Sequence, residues 1–457
     1  MMNYFRNIGN EIRNITKKTL EFLVVGAVAL PLIFGTGYSL SGCNSGGEEP
    51  VARTETTQPT GDDDNGNYVD DTGEDDDSVY ENTTTISPTT TWNGSSTSTS
   101  STWEGSTTSV PTGNTTTTLE CFRPIESGIQ ITQNTLFCPG EYVLPSNDRF
   151  AAIYIVGDNT ILDCNGSTIR GNGLCKPKSS GEGFDGGVGI AIEGANSGII
   201  LRNCNIEEYC IGINVGLSFD LEIYNNTLKN NPSIDHHGYG DNIQIVSGEN
   251  INFHENVISG GFNEGVYLSF QPKNVRIFNN FIRNVNGNGI ACAEGCDSIL
   301  IENNLIENVG GDGIDLSSLN GGSICDNQLY SNLSNGIRLS GVNNFRINQN
   351  IIIGTNNFNY LVSITNGTSG IIWNNFLDIP TLNRGVYDNG QNSWNGPVVY
   401  GLENIVGGAN TGGNFFSNYS GVDNNGDGFF DAPYHIPGGS SFDNYPLVLV
   451  NSPLNKK

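Results

Sequence analysis

A right-handed parallel β-helix of roughly ten coils is the fold this sequence predicts, an all-β solenoid in which each repeat forms one coil. Two recurring phrases and a bias in composition carry that expectation. The first phrase is an Asn followed by two β-forming residues: Asn226-Thr-Leu, Asn256-Val-Ile, Asn280-Phe-Ile, Asn304-Leu-Ile, Asn327-Gln-Leu, Asn350-Ile-Ile and Asn375-Phe-Leu. Successive Asn positions are 30, 24, 24, 23, 23 and 25 residues apart. The second phrase follows in step: Asn242-Ile-Gln-Ile, Gly265-Val-Tyr-Leu, Gly289-Ile-Ala-Cys, Gly313-Ile-Asp-Leu and Gly336-Ile-Arg-Leu. Both are short strands with apolar residues two apart, bounded by Gly and Asn. One such unit cannot bury its own apolar face, so stacking supplies the core. The 60 Gly and the low charged fraction of 15% suit short strands joined by tight corners.

The chain has 457 residues and a formal net charge of −28. That balance repels nucleic acid and offers it no basic patch. It fits either solubility outside the cell or cation binding. The ten cysteines show no paired Cys-x-x-Cys spacing of a zinc site and read as secretory disulfide usage. Cys164 and Cys204 occupy similar repeat positions and are expected to bridge coils, whereas Cys292 and Cys296 would close a small loop.

In order, residues 1–43 combine a basic flank, an apolar run from Leu20 to Leu40 and small residues, the pattern of a secretory signal. Leu40-Ser41-Gly42-Cys43 resembles the lipobox of prokaryotic lipoproteins, which implies lipidation at Cys43; an uncleaved membrane anchor is the alternative. Residues 44–119 form an acidic and Ser/Thr-rich linker without apolar periodicity, expected to stay disordered and to act as a spacer from the membrane. It carries Asn-x-Ser/Thr sequons at Asn82, Asn93 and Asn114. Residues 120–385 are assigned to the β-helix and 386–457 to a C-terminal cap. The recurrent Asn is read as structural, its amide bonding to the coils above and below.

Asp158-Asn-Thr-Ile-Leu-Asp-Cys-Asn-Gly-Ser-Thr-Ile, the coils after it, and Gly413-Asn-Phe-Phe-Ser-Asn-Tyr, Asp423-Asn-Asn-Gly-Asp-Gly and Pro433-Tyr-His-Ile-Pro-Gly-Gly in the tail resemble the NosD-like β-helix proteins of prokaryotic surfaces. The resemblance covers about residues 121–450. It implies the β-helix and a repeat domain also described as a carbohydrate-binding and sugar-hydrolase module. It also raises copper handling, the role of the name-giving member. Copper favours Met, Cys and His, and this chain has two Met, both at its extreme N-terminus, and four His.

Outward side chains of one sheet stack into a row from coil to coil. The second phrase predicts the row Ala191, Asn214, Gln244, Tyr267, Ala291, Asp315 and Arg338. At the mouths of the same strands stand Asp241, Glu264, Asn288, Asp312 and Asn335. Asp241 and Glu264 would lie one coil apart and perturb each other's ionisation or share a cation. Tyr267 offers a sugar a flat face, with Gln244, Arg338 and Tyr239 as further contacts. Asp241, Glu264, Asp312 and Asp315 are the candidate catalytic carboxylates of a glycosidase. The insertion Pro232-Ser-Ile-Asp-His-His-Gly-Tyr-Gly-Asp adds His236 and His237 as candidate acid–base groups. Asp235-His236-His237 is faintly similar to the Asp-Pro-His-Asp signature of alginate epimerases, with the middle residue changed and the final acid missing.

Asp423-Asn424-Asn425-Gly426-Asp427-Gly428-Phe429-Phe430-Asp431 follows a calcium loop. Asp423, Asn425, Asp427, the Phe429 carbonyl and Asp431 would hold a structural ion; an Asx-rich turn without metal is the alternative. The sequence therefore points to an extracytoplasmic, membrane-tethered protein engaging polysaccharide or surface glycan. A binding module, a lyase, hydrolase or epimerase, and a structural surface protein or adhesin remain in competition. It leaves the oligomeric state open.

Overall fold

The structure is a computed structural model that describes residues 120–455 apart from 147–149, 174, 178–183, 230, 232–239, 356–358 and 381–384. The signal or anchor segment with Cys43, the linker, and His236, His237 and Tyr239 lie outside the described residues.

Three parallel sheets of eleven strands each wind the chain into a β-helix. One strand of each sheet is contributed per coil: Ile243–Val246, Glu249–His254 and Val257–Ser259 in one turn, then Val266–Ser269, Lys273–Phe278 and Phe281–Arg283 in the next. The sheets run on through Val386–Asp388, Gln391–Ser393 and Phe415–Phe416. Two-residue alternation inside each strand sends every second side chain inward. Ile213, Ile243, Val266, Ile290, Ile314 and Ile337 stack in register along the first sheet and are fully buried. Leu228, Ile258, Ile282, Ile306, Leu329 and Ile352 do the same along the third. Phe345 fits the second sheet because Gly322 pairs beside it and Gly370 leaves room for its ring.

The recurrent Asn forms a buried ladder along one corner. The backbone N–H of Asn226 donates to Oδ1 of Asn256 at 2.9 Å, and the same bond recurs at 3.0 Å from Asn256 to Asn280, Asn280 to Asn304, Asn304 to Asn327, Asn327 to Asn350 and Asn350 to Asn375. Each Nδ2 also donates to a carbonyl of the preceding coil, as from Asn304 to Ile277 O at 2.9 Å. The structural expectation for these residues holds, and the ladder is longer than the period suggests. It continues from Asn375 to Asn414 at 3.2 Å and ends on Asp443, whose Oδ2 accepts from Asn414 N at 2.6 Å. Burial pushes the Asp443 carboxyl up to about 7 despite its bonds from Asn414 and Tyr445.

The residue before each ladder Asn turns the corner with positive φ: Asn225 at 53°, Glu255 at 56°, Asn279 at 57°, Asn303 at 51°, Asp326 at 57°, Gln349 at 58° and Asn374 at 54°. Asn and Asp tolerate that region, whereas Glu255 and Gln349 occupy it at some cost that the ladder bonds offset.

Within the described residues, four disulfides join Cys121 to Cys138, Cys164 to Cys204, Cys175 to Cys210 and Cys292 to Cys296. The second is the one expected from repeat position, and the fourth closes the expected small loop. The tail packs Val406, Phe429 and Leu447 against Phe376 and Phe415 on the outer face of the third sheet. Buried Asp388 helps fasten it, accepting from Trp394 Nε1 at 2.9 Å and Ser441 Oγ at 3.1 Å.

Replacing Asn304 with Ala leaves the buried N–H of Asn280 and the carbonyl of Ile277 without their partners. A loss of about 3 kcal/mol in denaturant unfolding is expected; a loss under about 1 kcal/mol would contradict the ladder's role. A second expectation concerns pH. Asp443 ionises near its ordinary value of 3.8 when unfolded and near 7 when folded. From about pH 4 to 7 the folded state holds a proton that the unfolded state has released, so stability falls as pH rises through that window. Asp443→Asn removes this contribution, and the variant's unfolding midpoint should depend less on pH than the parent's. An unchanged slope would count against the buried acid.

Candidate functional site

Strand register brings the expected outward residues together. Ala191 pairs with Asn214, Asn214 with Gln244, Gln244 with Tyr267, Tyr267 with Ala291, Ala291 with Asp315, and Asp315 with Arg338. Each step is one inter-strand spacing, so the row from Asn214 to Arg338 extends about 24 Å along the first sheet. Arg338 donates to both carboxylate oxygens of Asp315, at 3.3 and 3.1 Å.

Both ends of this row are covered. At one end the hairpin strands Cys175–Pro177 and Phe184–Gly186 are tied to Cys210 by a disulfide. There Ala151, Cys175, Val188, Ala191, Cys210 and Ile211 form an apolar cluster with Tyr154, and outward-pointing Ala191 is only 1% exposed. At the other end Ser363 and Tyr387 continue the row past Arg338. The tail reaches Tyr387 at Gly438, where an added Cβ would stand 2.8 Å from the ring. The open wall lies between them.

Along the mouth of the strands runs a second polar row. Asp241 Oδ1 accepts from Glu264 N at 3.2 Å and from Asn263 Nδ2 at 2.8 Å. Asn288 Nδ2 donates to Glu264 Oε1 at 3.4 Å, and Asn288 Oδ1 accepts from Asp312 N at 2.7 Å. Asp312 Oδ1 in turn accepts from the N and Nδ2 of Asn335, each at 2.7 Å. Asp312 therefore works as a ladder residue, buried and held by its neighbours. Glu264 differs: its longer side chain sets its carboxyl in hydrogen-bond contact with that of Asp241.

Burial, followed by the charge of Glu264, pushes the Asp241 carboxyl well above the usual carboxylate range. Burial raises Glu264 as well, with the charge of Asp315 adding to it. Asp241 is 2% exposed, so Glu264 is the member of the pair nearer solvent. Burial and then the charges of Asp241, Glu294 and Glu264 raise the Tyr267 phenol. Asp315 is raised by burial, against the lowering effect of Arg338. Chemically the wall offers a half-buried aromatic ring, amide groups at Asn214 and Gln244, and two adjacent carboxyls, both raised by burial.

Neither Asn263 nor the hairpin has a counterpart in the repeat phrases. Asn263 sits in a Gly-rich corner, and the hairpin falls between repeats. The unmatched Cys175 and Cys210 were its only trace.

The Asp-rich loop lies in the tail, away from this wall. Asp423 Oδ1 accepts from Gly426 N at 2.7 Å and Oδ2 from Gly428 N at 3.0 Å. Asn425 Oδ1 accepts from Asp427 N at 3.0 Å, Asp427 Oδ1 from Phe429 N at 2.9 Å, and Asp431 Oδ2 from Asn424 N at 3.2 Å. Among the described residues no three His, Cys, Asp or Glu side chains converge as a metal-holding group.

No curated protein matches the chain in sequence. Solved structures similar to it include the A-module of the mannuronan C-5 epimerase AlgE6 of Azotobacter vinelandii, at 13% identity and a TM-score of 0.44 over 57% of this chain and 91% of that one. An exopolygalacturonase of Thermotoga maritima aligns at 11% identity and a TM-score of 0.34 over 57% and 83% of the two chains. The periplasmic alginate epimerase AlgG aligns at 13% identity and a TM-score of 0.36 over 59% and 72%. Residues 233–421, which contain the whole stretch from Asp241 to Arg338, match the family model described as periplasmic copper-binding protein (NosD), and the chain is a parallel β-helix protein carrying that NosD-type segment.

Proposed function

We propose that the open wall of the first sheet binds a glycan chain on an extracytoplasmic protein. The observation that carries this reading is the alignment, one coil apart, of Gln244, Tyr267 and the Asp241–Glu264 pair on a stretch closed at both ends. An aromatic ring beside amide and carboxyl groups suits a sugar, which presents an apolar face and a rim of hydroxyls. The row is the length of a short oligosaccharide. Four disulfides support a location outside the cytoplasm, where such bonds persist. A lipid on Cys43 or an uncleaved anchor would tether the protein there.

Turnover is the second reading, and the two raised carboxyls favour it. A carboxyl raised by burial is suited to hand its proton to a leaving glycosidic oxygen. Glu264 is the residue placed to meet a ligand, with Asp241 behind it as a positioning partner; Asp315 is engaged by Arg338. Copper handling fits this chain poorly. Its two methionines are residues 1 and 2, and eight of its ten cysteines are in the four disulfides named above.

Calcium in the tail loop belongs to the same proposal. Each of Asp423, Asp427 and Asp431 accepts from backbone amides and keeps further lone pairs for a cation, and Asn425 and the Phe429 carbonyl would complete the set.

A glycan array should show binding that Tyr267→Ala weakens at least tenfold, about 1.4 kcal/mol, without altering the melting temperature. Binding unaffected by that change would remove the wall from the account. If the protein also turns its ligand over, Glu264→Gln should abolish release of reducing ends, whereas equal release by both proteins would clear Glu264. For the loop, adding calcium to chelated protein should raise the melting temperature, and Asp427→Ala should cancel the rise. An unchanged melting curve would leave an Asx-rich turn and no ion.

A further inference from the structure

We infer that the wall selects glycans without acidic groups, neutral or amino-bearing chains, and turns away polyuronates and sulfated polymers. The inference rests on the glycan reading above and narrows it to a substrate class. Its basis is the charge of the groups that register places side by side. Asp241, Glu264 and Asp312 line the strand mouths, Asp315 stands in the central row, and exposed Glu294 follows the strand Ile290–Cys292. Among the described residues of the row, the strand mouths and Glu294, these five acids face a single basic side chain, Arg338. That guanidinium already donates twice to Asp315.

A polyuronate brings a carboxylate on every sugar. Each would need a cation, best a forked Arg, at its subsite. Here a chain lying along the row would set its carboxylates against Glu264, Glu294 and Asp315 instead, and like charges held close in a partly desolvated site repel. The chain's formal net charge of −28 adds repulsion at longer range. An uncharged sugar meets no such penalty. Its hydroxyls can donate to the carboxyl of Glu264, the member of the Asp241–Glu264 pair nearer solvent. A protonated amino sugar gains further, because an ammonium over the Tyr267 face would sit among the carboxyls of Asp241, Glu264 and Glu294.

The test is affinity electrophoresis of the intact folded protein in native gels containing laminarin, xylan, soluble chitosan, polygalacturonate or alginate. It is run once with chelator and once with calcium, beside Tyr267→Ala. The expected result is retardation by at least one neutral or amino polymer, reduced at least tenfold in the variant, and none by either polyuronate. Retardation by polygalacturonate or alginate that the variant loses, in either condition, would overturn the charge argument and leave the glycan reading standing. Retardation by chitosan alone and equal in both proteins would be surface charge only and would overturn the inference. Failure with every polymer would remove the glycan reading and this inference together.

Discussion

The Asn ladder is the constraint on which the rest of the molecule depends. From Asn226 to Asn414 each side chain fills the same corner, accepting from the backbone N–H one coil before it and donating back to a carbonyl. A β-helix corner must bury peptide groups that no strand partner satisfies, and an unpaired buried N–H or carbonyl costs as much as a hydrogen bond lost. Asn alone among small side chains offers both a donor and an acceptor of the required reach. The ladder therefore satisfies the corner, holds the left-handed residue before it, and fixes how far each coil advances. Because it fixes the advance, residues 23 to 30 positions apart in sequence become lateral neighbours, and Gln244, Tyr267 and Asp315 share one wall.

The strand-mouth row uses a similar device with different chemistry. Asn288, Asp312 and Asn335 each accept from a backbone N–H of the neighbouring coil, so at these positions the row is structural. Asp241 does the same with the N–H of Glu264. Glu264 breaks the pattern, since its longer side chain pairs its carboxyl with that of Asp241, and two acids share one buried corner. A local departure of this kind, within an otherwise self-consistent repeat, is where function is expected to reside. It lies beside the part of the outward row between the hairpin and the tail.

Most of this was legible before any coordinates. The Asn and Gly-Ile phrases specified coil length, the inward and outward faces, and the pairing of Gln244 with Tyr267, because period-two alternation leaves a strand no other register. The disulfide Cys164–Cys204 followed from repeat position, and Cys292–Cys296 from the closeness of the two residues in sequence. The features that escaped share a physical reason: they lie where the period stops. Asn414 is 39 residues beyond Asn375, so neither it nor Asp443 announces itself as the ladder's end. The hairpin held by Cys175 and Cys210 is an insertion with no period of its own. That Asp312 is locked by Asn335 while Glu264 is not depends on side-chain length against a particular backbone, which sequence spacing does not encode.

Hydrogen exchange resolved to single amides tests the central claim most directly. The backbone N–H groups of Asn256, Asn280, Asn304, Asn327 and Asn350 each point at the next Asn side chain, and none belongs to a strand. If the ladder holds the coils, these corner amides exchange as slowly as the core strands and only through global opening. If they exchange as fast as the exposed turns around them, the corner is not held by its Asn row, and the register that aligns the wall has another origin.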